Sequence, residues 1–224
     1  VELDPNFDEA WSHLSWIYTD EQVFGFNPLP NPMERALAAA RKAIELNPDN
    51  YHSHWLLSRV HYFMGHRDLF LAEAQRALDL NSSDGTTLGL LGLYIAFAGE
   101  WDRGMDMVSK AKLMNPNHPD YYYSALGIGA FVKGNHATAL EQLHKANLPG
   151  WLPHQSFLIA SYAALERMED ARRQLAQLRQ LLPDLNLDSA VAQLNMFFPF
   201  QPGLVRELAG ALKNVGLAAA DAPA

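Results

Sequence analysis

A phrase that recurs along the chain at a fixed interval limits what this sequence can fold into. It reads ELNPDN, then DLNSSD, then LMNPNH, and a related ELDPNF stands near the start. Pro48, Ser82 and Pro116 occupy the same slot at intervals of 34 residues, and Pro183 follows after 67 more. A repeat of this length is typical of arrays in which each unit packs only on its neighbours.

Each copy of the phrase predicts the end of one helix and the start of the next. A proline removes a backbone donor and forces the preceding residue out of the α region, so a helix stops before it. Short polar side chains follow: Asn50 in the first copy, Asp84 in the second, and Asn117 or His118 in the third. Such side chains accept hydrogen bonds from the first amides of a new helix.

Between the phrases, the residue pattern is helical. The frame W-x2-L-small-x2-Y begins at Trp11 and recurs in altered form from His54 and from Leu88. A turn glycine follows in the second, third and fourth units, at Gly65, Gly99 and Gly134. The second helices carry small residues seven positions apart, in the pairs Ala36 and Ala43, Gly104 and Ala111, and Ala139 and Ala146. Seven residues make two helical turns, so each pair shares a face on which two backbones can approach closely.

A 34-residue helix–turn–helix with these features resembles the tetratricopeptide repeat. The resemblance covers residues 8–183 in five units, and it implies an all-α, right-handed superhelical solenoid of antiparallel helix pairs. Three positions depart from the pattern, because Phe70 replaces a small residue, Ser82 a proline and Glu166 a turn glycine. The first unit is nine residues too long, which predicts a long turn between its helices at about residues 19–33.

The two ends of the chain depart from the repeat. Residues 1–7 match the end of a preceding helix or a linker, so we expect the chain to be a fragment. Residues 184–217 abandon the repeat, and we expect them to contain a helix that caps the apolar flank of the last unit. Their leucines recur every four residues on one helical face, at Leu204, Leu208 and Leu212. Residues 218–224 predict a frayed tail.

Charge and composition oppose several classes of partner. The chain has 224 residues, 49% of them hydrophobic, so it can bury a core. Its formal net charge of −8 opposes the basic surface that nucleic acid binding requires. The longest apolar run, LGLLGLYIAFA, falls short of the roughly 20 residues that span a bilayer, so we expect no membrane insertion. The lack of cysteine fits a reducing compartment, and we expect a cytoplasmic protein.

Chemical motifs do not indicate an enzyme. His54 and His61 lie two helical turns apart and could hold a metal ion, but both occupy slots of large packing residues. The run GIGAFV, from Gly127, lacks the third glycine of a dinucleotide-binding loop and follows no strand pattern. The sequence contains no H-E-x-x-H, G-x-S-x-G or P-loop motif. We therefore expect no catalytic residue, no metal and no cofactor.

The C-terminal half carries a narrower resemblance. The stretches NPNHPDYYYSALGIGAFVKGNHATALEQL, LIASYAALERMEDARRQLAQLRQLLPDLNL and FPFQPGLVRELAGALKNVGL resemble the tetratricopeptide tails of bacterial class III adenylate cyclases. Similar tails follow winged-helix transcriptional regulators. The resemblance implies a regulatory attachment without catalysis, because cyclase chemistry needs a βα domain with two metal-binding aspartates.

In the tetratricopeptide family the first helix of each pair lines a concave groove that binds extended or helical peptides. By register, the groove-facing side chains here form an apolar, aromatic set with one guanidinium, which we call the inner stripe. The inner stripe consists of Trp16, Trp55, Arg59, Tyr62, Leu93, Phe97, Tyr121, Ile128 and Phe131. These side chains either contact a partner or pack between repeats, and both alternatives stay open at this point.

Two non-catalytic functions follow. In the first, which we favour, the groove binds a peptide or helix of another protein. In the second, the repeats regulate an N-terminal enzyme or DNA-binding domain of the same chain.

Overall fold

The computed structural model describes residues 1–27 and 29–220, which form twelve α-helices and no β-strand. The first ten helices are α1 (Asp8–Phe24), α2 (Pro32–Leu46), α3 (Tyr51–Phe63), α4 (Arg67–Leu80), α5 (Gly85–Phe97), α6 (Trp101–Met114), α7 (Tyr121–Val132), α8 (His136–Leu143), α9 (Leu152–Ala164) and α10 (Met168–Leu181). Two more follow, α11 (Leu187–Phe197) and α12 (Pro202–Asn214). None of these twelve is long and apolar enough to cross a membrane. The predicted all-α class is confirmed.

The first ten helices pack as five pairs in chain order, from α1 on α2 to α9 on α10. Each odd-numbered helix also contacts the next odd-numbered helix, whereas each even-numbered helix packs mainly against the odd-numbered helices beside it in sequence. The odd-numbered helices are therefore closer together and lie on the inner, concave side. This arrangement is the superhelical solenoid that the sequence predicts.

Two of the predicted helix caps are present. The side chains of Asn50 and Asp84 accept hydrogen bonds from amides at the start of α3 and α5. The predicted cap of α7 is wrong, because α7 begins after Asn117 and His118. Those two residues lie instead in a turn that is closed by a bond from the amide of His118 to the carbonyl of Asn115.

The connection within the first pair is shorter than predicted. Helix α1 continues to Phe24, so residues 19–24 of the expected long turn are helical. The helix ends where Gly25 takes the left-handed conformation, since no glycine or proline interrupts it earlier. The added helical turn carries Val23 into the main core. Pro28, also within the expected turn, lies outside the described residues.

A residue with positive φ separates the two helices in the second to fifth pairs. Gly65, Gly99 and Gly134 have φ values of 77°, 102° and 76°. Glu166 takes the same role in the fifth pair with φ 59°. Because a Cβ is unfavourable in this conformation, Glu166 is a strained turn residue in a glycine position.

Small residues let the paired helices approach closely, with one exception to the prediction. The buried small positions are Ala36, Ala43, Gly104, Ala111 and Ala139. A Cβ added to Gly104 on α6 would overlap the backbone of Gly92 and Ala96 on α5, so these helices touch at backbone level. Ala146 lies beyond the end of α8, so the predicted pair of Ala139 and Ala146 does not share a helix.

Helices α11 and α12 turn back over the inner side of the array. Both pack against α9, the inner helix of the fifth pair. On α12, Leu208 and Leu212 are fully buried and Leu204 is half-buried, so α12 packs through the leucine face that the sequence indicates. After α12, the carbonyl of Ala218 accepts a hydrogen bond from the amide of Leu187 at the start of α11. The expected frayed tail at 221–224 lies outside the described residues.

Candidate binding site on the concave face

The inner stripe lies on the inner helices as predicted, but most of it is not accessible. Seven of its members are exposed by 7% or less, namely Trp55, Arg59, Tyr62, Leu93, Phe97, Ile128 and Phe131. Trp16 and Tyr121 are half-buried. Burial shows that these seven side chains pack mainly within the fold, the second of the two alternatives, although Leu93 and Phe97 also line a cavity described below. For Tyr62 and Phe97, the physical reason is that the C-terminal part of the chain packs on them.

The end of α11 and the connection to α12 provide this cover. We call this stretch the aromatic segment, residues 196–201, with the sequence MFFPFQ. The hydroxyl of Tyr62 donates a 2.6 Å hydrogen bond to the carbonyl of Phe197. The ring of Phe198 packs on that of Phe97 with centroids 4.6 Å apart. The aromatic segment thus packs directly on the inner helices α3 and α5.

The aromatic segment joins pairs that are distant in sequence. Phe200 packs edge-to-face against Tyr62 on α3, with a centroid distance of 5.4 Å. Phe198 packs edge-to-face against Phe157 on α9, at 5.7 Å. Contacts of this geometry add to the stabilisation that burial of the rings supplies. The segment therefore ties the second pair to the fifth across the inner face.

Arg59, the one cation of the inner stripe, lies in a polar cluster that joins three inner helices. Its guanidinium forms an ion pair with Asp20 on α1, and its Nε donates to the hydroxyl of Tyr94 on α5 at 3.3 Å. Asp20 also accepts a 2.7 Å hydrogen bond from the indole of Trp16. Burial lowers the pKa of Arg59, but Tyr94 and Asp20 outweigh it and raise the pKa overall. Arg59 is thus a charged internal tie between helices.

An open apolar cavity remains beside the aromatic segment, and we call it the concave pocket. Its volume is about 350 Å³, near the lower end of the usual range for ligand pockets. It is lined by Phe24, Leu90, Leu93, Tyr94, Phe97, Tyr121, Leu148, Trp151 and Phe197. None of these nine side chains carries a charge. They come from the end of α1, from α5 and α7, from the connection before α9, and from the aromatic segment.

Accessible side chains surround the mouth of the concave pocket. Phe24 is 60% exposed. The half-buried members are Leu90, Tyr121, Leu148 and Trp151. Burial, more than any neighbouring group, raises the pKa of Tyr121, so its hydroxyl stays neutral. The pocket therefore offers uncharged, largely aromatic surface that is not yet covered.

The sequence identified only part of this pocket. Leu93, Phe97 and Tyr121 belong to the inner stripe and line the pocket. The other six lining residues were missed, and two of them, Phe24 and Phe197, lie outside the repeat frame that assigns residues to the inner side. The available signal was composition, since both stand in aromatic stretches where the repeat is interrupted.

The histidines considered for a metal site have separate partners. The ring nitrogens of His54 lie 2.6 Å from a carboxylate oxygen of Glu73 and 2.9 Å from the carbonyl of Pro48. His61 Nδ1 lies 3.4 Å from His66 Nδ1. Within residues 1–27 and 29–220, no group of three His, Cys, Asp or Glu side chains is placed to hold a metal ion.

No model of a known protein family matches the chain. No curated protein matches it in sequence either.

Solved structures match the chain at low sequence identity. In the APC/C hetero-tetramer Cut9–Hcn1, a chain matches 95% of this one with a TM-score of 0.67 and 16% identity, and this chain spans 44% of it. TTC0263, a thermophilic TPR protein in Thermus thermophilus, matches 84% of this chain and 98% of its own, with a TM-score of 0.63 and 17% identity. YrrB, a TPR protein with an unusual peptide-binding site, matches 69% of this chain and 80% of its own, with a TM-score of 0.51 and 22% identity. The chain therefore has the fold of the tetratricopeptide-repeat solenoids.

Proposed function

We propose that this chain is a non-catalytic protein-interaction module that binds a peptide or helix of a partner protein at the concave pocket. The observation that carries the proposal is the pocket itself, an open cavity of about 350 Å³ with nine uncharged lining side chains. Accessible apolar concavities of this kind mark binding sites. The structural similarity to YrrB, a TPR protein with an unusual peptide-binding site, supports this choice of ligand.

The proposal retains part of the inner stripe and gives the rest another role. Leu93, Phe97 and Tyr121 contact the partner, because they line the pocket. Trp16 and Arg59 hold the inner helices together through Asp20 and set the shape of the face. The remaining inner-stripe side chains form core, since they are buried.

A protein partner suits the charge of the chain better than nucleic acid or a membrane surface. The net charge of −8 repels phosphate groups, and the pocket has no basic side chain that could offset this repulsion. Binding needs no cofactor or metal, since burial of apolar surface supplies the driving force. The absence of cysteine fits a cytoplasmic setting.

Peptide selection tests the proposed function. Peptides from a displayed random library are selected on the purified chain, and their affinities are measured by calorimetry. Phe24→Ala and Leu148→Ala each remove one wall of the pocket, and we expect each to weaken binding by about tenfold or more.

The matched control is Leu113→Ala, since Leu113 is an apolar residue of α6 that is 85% exposed and does not line the pocket. This variant should bind as the parent does, and all three should unfold at the parental temperature. Selected peptides that bind Phe24→Ala and Leu148→Ala as tightly as the parent would show that the concave pocket is not the site.

A second candidate function is the regulation of an enzyme or DNA-binding domain of the same protein, as in the bacterial cyclases and winged-helix regulators that the C-terminal half resembles. The observation that favours it is an exposed, largely apolar cleft of about 620 Å³ between the first residues of the chain and α1. Its lining includes Leu3, Leu14 and Ile17. In the full-length protein, Ile17→Asp should change the activity of the attached domain while the repeats unfold normally. Unchanged activity with this variant would contradict the regulatory function.

A further inference from the structure

The walls of the concave pocket are chemically uniform. Two thirds of its lining side chains are aromatic, namely Phe24, Tyr94, Phe97, Tyr121, Trp151 and Phe197. The other three are leucines, and no carboxylate or cation lines the cavity. A ligand group that enters this space therefore leaves water without gaining a charged partner, which favours a neutral, apolar group.

The inner face already binds aromatic rings in the same way. Its rings hold the aromatic segment through edge-to-face pairs, in which Trp151 meets Phe197 at a centroid distance of 5.8 Å and Phe97 meets Phe198 at 4.6 Å. Trp151, Phe97 and Phe197 also line the open pocket. The row of rings thus continues into a space that the chain itself leaves unfilled.

The aromatic segment is a fixed wall of the pocket rather than a removable plug. Phe198 has no exposed surface, and the carbonyl of Phe197 is held by the hydroxyl of Tyr62. Displacing the segment would expose this buried ring and leave a hydrogen-bond donor unpaired in the core. A ligand therefore binds beside the segment, so its contact with the inner face is short.

We propose that the concave pocket binds a single aromatic side chain, phenylalanine or tryptophan, which a partner peptide projects beside the aromatic segment. This inference rests on the proposed function and specifies the partner's anchor. A volume of about 350 Å³ suits one bulky side chain rather than several. Edge-to-face contact with the lining rings distinguishes an aromatic anchor from an aliphatic one of similar apolar area.

Capped amino-acid amides test the anchor without requiring knowledge of the partner. N-acetyl amides of tryptophan, phenylalanine, leucine and trimethyl-lysine are titrated into the intact chain, and affinities are read from NMR shifts of pocket residues. We expect the two aromatic amides to bind about two- to tenfold more tightly than the leucine amide. The trimethyl-lysine amide should bind least, because no lining carboxylate supports a cation.

A matched pair of variants links this preference to the pocket. Phe24→Leu retains an apolar side chain but removes one of the six rings from the wall, so it should weaken the preference for the aromatic amides over leucine. Phe26→Leu is the control, because Phe26 is 46% exposed, lies two residues away and does not line the pocket. Both positions are exposed enough that either variant should fold normally.

The inference is overturned if leucine binds as tightly as the aromatic amides, if trimethyl-lysine binds most tightly, if none of the four shifts pocket residues, or if the two variants behave alike. These outcomes are separate from failure of the proposed function. Library peptides that bind at the pocket through an aliphatic or cationic anchor would retain the proposed function and refute this inference. If neither peptides nor amides bind there, both are refuted.

Discussion

The hydroxyl of Tyr62 on α3 donates a 2.6 Å hydrogen bond to the backbone carbonyl of Phe197, which follows 135 residues later in the chain. Tyr62 has no exposed surface, and burial, together with the nearby Tyr94, raises its pKa well above the usual range. The hydroxyl therefore keeps its proton and remains a donor. This bond attaches the aromatic segment to the second helix pair and closes the inner face there.

Removal of that hydroxyl should destabilise the whole array. Tyr62→Phe retains the ring but leaves the Phe197 carbonyl unpaired, which should lower the free energy of unfolding by about 1–3 kcal/mol. Denaturant unfolding measures this change. Tyr123→Phe is the control, because Tyr123 is half-buried and its contacts with Lys112 and His118 involve the ring, which phenylalanine retains, and a loss below about 0.5 kcal/mol is expected there. Equal losses in the two variants would contradict the role assigned to the bond.

Two glycine-to-alanine changes should act in opposite directions. Gly104 on α6 faces the backbone of Gly92 and Ala96, so Gly104→Ala should force α5 and α6 apart and cost about 1–3 kcal/mol. Gly210 on α12 has open space around the added methyl group. Gly210→Ala should therefore stabilise the fold by roughly 0.5–1 kcal/mol through better helix propensity. A thermal unfolding midpoint that does not fall in Gly104→Ala would show that the close approach of α5 and α6 is wrong, and one that falls in Gly210→Ala would contradict the open space at Gly210.

Replacing the strained turn residue of the fifth pair should stabilise the chain. Glu166 has φ 59°, in the left-handed region where glycine has no Cβ penalty. We expect Glu166→Gly to raise the free energy of unfolding by about 1 kcal/mol. Gly134→Ala is the converse change, which places a Cβ at a left-handed turn position. The added Cβ meets no atom within 4 Å, so the backbone strain at φ 76° is the only effect on the folded state. A loss of stability with Glu166→Gly would mean that contacts of the glutamate side chain outweigh the backbone strain.

One buried histidine should contribute to a fall in the stability of the fold in mild acid. His154 is 1% exposed, and its Nδ1 lies 3.0 Å from the hydroxyl of Ser124. Burial, and then the charge of His144, lowers the pKa of His154 to about 4. In the unfolded chain its pKa is about 6.5, so the unfolded state binds the proton first as the pH falls. The contribution of His154 to stability should therefore decline from about pH 6.5 to about pH 4, by at most roughly 3 kcal/mol.

Unfolding free energies measured at pH 7 and pH 4.5 check this expectation. His154→Gln cannot bind the proton and should show a smaller difference between the two pH values than the parent. His118→Gln, in the turn before α7, should keep the parental difference. An unchanged pH dependence in His154→Gln would assign the acid sensitivity to other groups.

The repeat was predictable because its signals act over a few residues. Proline in the recurring phrase stops a helix, and Asn50 and Asp84 start the next one through bonds to amides two or three residues away. Such effects do not depend on the rest of the fold. The seven-residue spacing of Gly104 and Ala111 likewise places both on one helix face wherever that helix lies.

The helix limits were less predictable where local signals compete. The residue pattern predicted a turn from residue 19. A helix that has begun continues until it reaches a residue that disfavours the helical conformation, and Gly25 is the first such residue in α1. Asn117 and His118 were expected to cap α7 but lie in a turn. Ala146 fits the seven-residue spacing, yet α8 ends before it.

Tertiary structure alone decided which part of the inner face remains accessible. Periodicity assigns Tyr62 and Phe97 to the inner helices, but it cannot show whether a distant part of the chain covers them. Residues 196–201 have no place in the repeat, and their burial depends on α3, α5 and α9 already being packed side by side. The sequence by itself therefore determined the solenoid and the residues on its inner helices. Only long-range packing decided that most of that face is buried and that the pocket at Phe24 stays open. The reason is that apolar rings leave water wherever the assembled fold provides an apolar surface to pack against.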